Sequence, residues 1–151
     1  MRLTDFLQTD TIEMHLKGTS KEDILRELAN ILVSAGRIKN AAVIQTALLE
    51  REGLGSTGVG HGVAIPHCRC PEVSQPQVAF GRSDGDVDFS SVDGDPARLF
   101  FLLVAPENGN NDHLHLLAKI ARLMKDPAIR RELLSLDSGE AALALISKRD
   151  L

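Results

Sequence analysis

Glu50-Arg51-Glu52-Gly53-Leu54-Gly55-Ser56-Thr57-Gly58-Val59-Gly60-His61-Gly62-Val63-Ala64-Ile65-Pro66-His67-Cys68 runs from a charged helix end, through five glycines, into a short apolar strand. Glycine lets a backbone turn sharply and approach a ligand closely. Pro66 restricts the exit, so His67 is presented at a strand end from a stiffened backbone. A helix handing over to a strand through such a turn is the signature of an α/β chain, whose ligand crevices lie at strand ends. Histidine titrates near neutral pH and can act as a nucleophile.

The rest of the chain extends that pattern. Gly18 to Gly36 reads as a helix, with Thr19 and Glu22 at capping-box spacing and Gly36 as its stop. Ile24, Leu25, Leu28, Ile31 and Leu32 form one apolar face. A second helix is expected from Asn40 to about Glu52, with Val43, Ile44, Ala47 and Leu48 inward and Arg51 beside the glycines. Strands are expected at Val63 to Ile65, Gln77 to Arg82 and Leu99 to Ala105, with a weaker candidate at Asp86 to Phe89. The continuous apolar run ending at Pro106 is what a fully buried central strand looks like. Helices follow at Asn111 to Lys125, at Pro127 to Leu136 behind an Asp126 cap, and at Ser138 to Lys148. The order α-α-β-β-β-β-α-α-α predicts an α/β fold, a single layered domain with a small mixed β-sheet flanked by helices.

Composition narrows the function. The 151 residues, 43% hydrophobic and 25% charged, suit one globular domain. Seventeen Lys and Arg against twenty-one Asp and Glu, with no Trp or Tyr, argue against a nucleic-acid partner. The longest apolar run is too short to insert in a membrane and no secretory leader is visible, so a cytoplasmic protein is expected. Cys68 and Cys70, one residue apart, do not suit a mutual disulfide. With His61 and His67 they offer four nitrogen or sulfur donors, but Cys-x-Cys is cramped for zinc, and neither a metal nor a cofactor is expected. The carboxylates at 84, 86 and 88 lack calcium-loop spacing and read as a solvated turn.

Helical phase separates His113 from His115. His113 shares a stripe with Leu117, Ile120 and Met124 and should face the protein body, while His115 shares one with Lys119, Arg122 and Asp126 and should face solvent. In the first turn of its helix, His113 suits either a core position satisfied by a carbonyl or an anion site at the positive helix end. His67 and Arg51 likewise read either as ordinary loop and helix-end residues or as site residues. Leu54, Val59 and Phe80 fit an apolar rim or the core.

Glu52, Val59-Gly60 and Val63-Ala64-Ile65-Pro66-His67-Cys68 together resemble the active-site signature of phosphotransferase-system (PTS) enzyme IIA domains of the fructose/mannitol class, the type-2 EIIA fold. Leu49-Glu50-Arg51-Glu52 and His113-Leu114-His115-Leu116-Leu117 stand where that family keeps an arginine and a second histidine. The resemblance covers essentially the whole chain, so residues 1–151 are expected to form one EIIA domain. Leu54 to Gly60 resembles the nitrogen-related regulatory branch, as does a domain with no fused IIB or membrane IIC part. Cys68 stands where glycine is common, and His61 where asparagine often stands.

The resemblance implies a phosphotransferase component of bacterial type in which His67 accepts a phosphoryl group from an HPr-like phosphohistidine carrier, forming a tele-phosphohistidine. Arg51 and His113 would stabilise the phosphoryl oxygens, and backbone N–H groups of the Gly58–Gly62 loop would add donors. Phosphorylation would then regulate cytoplasmic partners. The alternatives are a fructose- or mannitol-type component that passes phosphate to a IIB cysteine, and, in a different class, a zinc-stabilised binding module.

Overall fold

The apolar run through Leu99–Ala105 is the middle of the sheet, and everything else is arranged on its two faces. The structure, a computed structural model, describes residues 1–108 and 111–150. Two 3-10 turns (Leu3–Asp5 and Thr9–Thr11) lead into β1 (Ile12–Leu16), α1 (Lys21–Ser34) and α2 (Ala41–Gly53). Then come β2 (Gly58–Gly60), β3 (Val63–Ala64), β4 (His67–Cys70), β5 (Gln77–Val87) and β6 (Ala97–Pro106). The chain finishes with α3 (Asp112–Met124), α4 (Pro127–Ser135) and α5 (Gly139–Arg149).

The six-stranded sheet is mixed, in the order β1-β5-β6-β3-β2, with β4 also on β6. β5 is antiparallel to β6, whereas β1 runs parallel to β5, and β3 and β4 run parallel to β6. Side chains alternate along β6, and each alternation has its own layer to fill. Leu99, Phe101 and Leu103 pack with Leu116, Ile120 and Ile146 of α3 and α5, while Phe100, Leu102 and Val104 pack with Leu28, Ile44 and Leu48 of α1 and α2. A sheet covered on both faces requires a strand with no polar side, which is why β6 reads as an unbroken apolar run. The Phe80 and Phe101 rings sit 4.8 Å apart, and burying each contributes about 2–3 kcal/mol.

Several local expectations are corrected. Ser20, not Thr19, caps α1, its side chain accepting from the Asp23 amide. Val43 is exposed, whereas Ile44 and Leu48 are buried. β5 continues to Val87 and takes in part of the separate candidate at Asp86 to Phe89. His67 does not end a strand. β3 stops at Ala64, and His67 opens β4, which lies further along the same edge of β6 (Val63 beside Leu99, His67 beside Leu103). Ile65 and Pro66 form the break between two short strands on one line. β1, β2 and β4 were all unexpected, being short or polar. Asn40 and Asp126 do cap α2 and α4. Among the described residues no helix is long and apolar enough to cross a membrane.

Candidate functional site

Parallel pairing puts His67 opposite Leu103 and Arg69 opposite Ala105 on β6. These two side chains share one side of β4, and Cys68 and Cys70 share the other. The C-terminal turn of α2 brings Arg51 and Leu54 to this edge, and the first turn of α3 brings His113 and Leu114. Together they line a cleft of 620 Å³ that contains Arg51, His67, Arg69 and His113. All three residues singled out in the sequence, Arg51, His67 and His113, therefore line one cavity.

His67 is half-buried, and its Nδ1 lies 2.8 Å from the Ile65 carbonyl oxygen. A carbonyl only accepts, so Nδ1 carries the proton and Nε2 keeps its lone pair. Burial holds the pKa of His67 below the usual histidine range. The Ile65 carbonyl and Glu52 work against that shift, while Arg51 and His113 reinforce it. The net result is a neutral imidazole at neutral pH with one nitrogen free.

Arg51 Nη1 donates to the Gly55 carbonyl at 2.8 Å, which fixes the guanidinium at the end of α2. Glu52, beside it, points the other way. Its carboxylate, with a side chain only 5% exposed, pairs with Lys21 at 3.0 Å and accepts from the Thr57 amide at 3.1 Å and from the Thr57 hydroxyl. Ser56 Oγ donates to the Phe89 carbonyl and accepts from the Gly58 amide. The glycine-rich loop is thus tied from inside.

That loop does not surround His67. Gly58 to Gly62 is β2 with the turn into β3, and none of its residues lines the cleft. The Gly58 amide is taken by Ser56 and the His61 amide by Asp93 at 2.9 Å, so two of the expected backbone donors are committed elsewhere. Gly60 and Gly62 have φ of 93° and 78°, and His61 between them sits at 58°, a left-handed conformation that asparagine and glycine tolerate best. His61 is exposed on this turn, away from the cleft, and His15 is on β1, paired with Asp84.

Arg69 is the site residue that the sequence reading missed. Nη2 lies 2.8 Å from His113 Nε2, and Nη1 donates to the Pro106 carbonyl at 3.0 Å. Its signal was present: two positions beyond His67 in an extended segment means the same face. Of the possible rim residues, Leu54 is 85% exposed and lines the cleft, Val59 is exposed but away from it, and Phe80 is in the core. His113 is partly buried and His115 exposed, as helical phase predicts.

Among the described residues no three His, Cys, Asp or Glu side chains converge as a metal site. Cys68 packs toward α2 and burial pushes its thiol up to about 12, while Cys70 is buried, its Sγ accepting from the Glu72 amide. Cys68 and Cys70 share one side of β4 and His67 the other, so these three do not present a common ligand face.

Comparison with known proteins agrees with this arrangement. The family model described as "Phosphoenolpyruvate-dependent sugar phosphotransferase system, EIIA 2" matches residues 5–149. A nitrogen regulatory protein of Bradyrhizobium diazoefficiens is 40% identical, over 97% of this chain and 95% of its own length. A PTS fructose-specific EIIABC component of Bacillus subtilis is 37% identical over 99% of this chain, which spans only 24% of that relative. The crystal structure of nitrogen regulatory protein IIA-Ntr from Neisseria meningitidis superposes with a TM-score of 0.87 at 35% identity, covering 94% of this chain and 97% of that one. The shared architecture spans both helical layers and the strand edge that carries His67, and the chain belongs to the EIIA 2 family of the phosphoenolpyruvate-dependent sugar phosphotransferase system.

Proposed function

We propose that residues 1–151 act as one cytoplasmic phosphocarrier domain in which His67 Nε2 accepts a phosphoryl group from a phosphohistidine on an HPr-like carrier. The observation that carries this reading is the 2.8 Å contact of His67 Nδ1 with the Ile65 carbonyl inside a cleft shared with Arg51 and His113. The incoming N–P bond forms on Nε2 as the carrier's N–P bond breaks. The carrier's ring, protonated on its other nitrogen before transfer, leaves neutral, and His67 keeps its Nδ1 proton. Such a transfer needs in-line placement and charge on the equatorial oxygens to be held, more than new covalent chemistry. Arg51 offers its remaining guanidinium donors, and His113 a ring nitrogen at the start of α3.

The output we favour is regulatory. About two added negative charges at the mouth of the cleft change which protein can dock there, as the name of the Bradyrhizobium relative suggests. A second reading, transfer onward to a IIB cysteine during sugar uptake, is favoured by the 37% identity to a fructose-specific component.

The test is incubation with phosphoenolpyruvate, an enzyme I and an HPr-type carrier, followed by mass spectrometry for an acid-labile phosphoryl group. Wild type and His15→Ala should be labelled and His67→Ala should not. Arg51→Ala and His113→Ala should stay folded and label about tenfold more slowly, as expected when one charge-assisted donor is lost. An unlabelled wild type, with every other component active, refutes the phosphocarrier reading. Efficient passage to a sugar-specific IIB domain would replace the regulatory output by the transport one.

A further inference from the structure

We propose that Arg69 is the positioning residue for His113 in phosphoryl transfer to His67, an inference that rests on the phosphocarrier reading. His113 sits in the first turn of α3, half-buried at the cleft wall. Among the described residues, Arg69 is the one hydrogen-bond partner of its ring: Nη2 donates to Nε2 at 2.8 Å, which leaves the proton on Nδ1 as the ring's donor. The other arm of the same guanidinium is fixed, Nη1 donating to the Pro106 carbonyl at the end of β6. One rigid, planar cation therefore spans the end of the central strand and the start of the helix that follows it.

This bridge has a consequence for the chemistry. Arg69 lies two residues from His67 on the same strand, so the backbone that carries the acceptor also carries the group that holds His113. Two residues of strand span about 7 Å, and His67, Arg69 and His113 all line the one cleft. Without the bridge a partly exposed imidazole has free rotation to lose when the phosphoryl group arrives. Arg69 removes that rotation beforehand, which is preorganisation of a donor. A lysine cannot do the same, since one ammonium lacks the planar fork that meets both acceptors.

The test separates positioning from bulk structure. Arg69→Met keeps the aliphatic stem of an exposed residue, so the thermal melt should match wild type. Labelling of His67 should slow about tenfold in Arg69→Met, with only partial recovery in Arg69→Lys. The decisive measurement is a double-mutant cycle: Arg69→Met should add no further slowing in a His113→Ala background. A second readout needs no phosphoryl donor. Side-chain relaxation of the His113 ring by NMR should show an ordered imidazole in wild type and a mobile one in Arg69→Met. Losses that multiply in the double mutant, or a His113 ring equally ordered in both proteins, overturn the inference while leaving the acceptor role of His67 intact. A wild type that takes no phosphoryl group overturns both, and is recognised by zero labelling in every variant.

Discussion

Cys68, next in sequence to the acceptor, lies on the opposite side of β4 and reaches the cleft wall half-buried. On a strand, adjacent side chains point to opposite faces, so His67 opens to the cleft while Cys68 packs toward α2, where burial and the neighbouring Cys70 raise its thiol to about 12. At pH 8 the thiolate population is then about a thousandfold below that of an exposed cysteine. Iodoacetamide should leave Cys68 unmodified in the folded protein at pH 8 over a period that consumes free cysteine, and should modify it once urea unfolds the chain. Peptide mass spectrometry reads the outcome, and rapid labelling of the native protein would contradict the buried, protonated assignment. At this scale the sequence was legible wherever the clue was local. His67 follows a stiff proline, Arg51 ends a helix beside the glycines, and helical phase alone turns His113 inward. Arg69 was missed because its meaning lies in a partner 44 residues away, which only the approach of α3 to β4 reveals. His61, at positive φ on the turn between β2 and β3, has an identity that concerns the turn.

At the scale of elements, the link from α2 to β2 shows how a glycine-rich segment is made rigid. Glu52 leaves the last turn of α2, turns inward, and meets Lys21 from α1 and both the amide and hydroxyl of Thr57. Lys21 in turn lies 4.8 Å from the centroid of the Phe89 ring. A carboxylate this buried is tolerable only because both of its oxygens have partners, and removing it leaves a mostly buried ammonium without its carboxylate. Glu52→Ala should therefore lose about 3 kcal/mol in urea unfolding. Glu52→Gln, which retains hydrogen bonding but not charge, should lose about half as much. A Glu52→Ala protein as stable as wild type would show that the clamp is not what holds this loop. The long elements were legible because their periods repeat over several turns, and the cap of α4 followed from Asp126, whereas that of α1 was placed one residue early. The short strands were not. β4 consists of two histidine- and arginine-bearing positions alternating with cysteines, and β2 is mostly glycine, so neither has the β-branched alternation that marks a strand. β4 is a strand because β6 supplies an edge to pair with, and β2 because β3 does, tertiary causes with no local trace.

For the whole molecule, the two-layered packing decides the electrostatics of the acceptor. A sheet covered on both faces leaves His67 half-sheltered between the ends of α2 and α3, and that shelter is the largest reason its pKa lies below the ordinary value of about 6.5. Two positively disposed neighbours, Arg51 and His113, deepen the shift, and the Ile65 carbonyl and Glu52 moderate it. The sign of the consequence follows from which state binds the proton. Above pH 6.5 both folded and unfolded His67 are neutral, and this residue's contribution to stability is fully present. As pH falls, the unfolded chain takes up the proton first, so that contribution is lost progressively down through the folded pKa. Nucleophilic attack needs the same neutral form, so the phosphorylation rate should hold level through neutral pH and fall on an acid limb with its midpoint below 6.5. Arg51→Ala removes one of the charges that disfavour the imidazolium, and should move that midpoint upward as well as lowering the plateau. An NMR titration of the His67 ring, performed beside the rate profile, should give the same two midpoints in the same order. An acid limb at or above 6.5 in wild type, or one that stays put in Arg51→Ala, would mean that the burial and charge around β4 do not govern the reacting nitrogen.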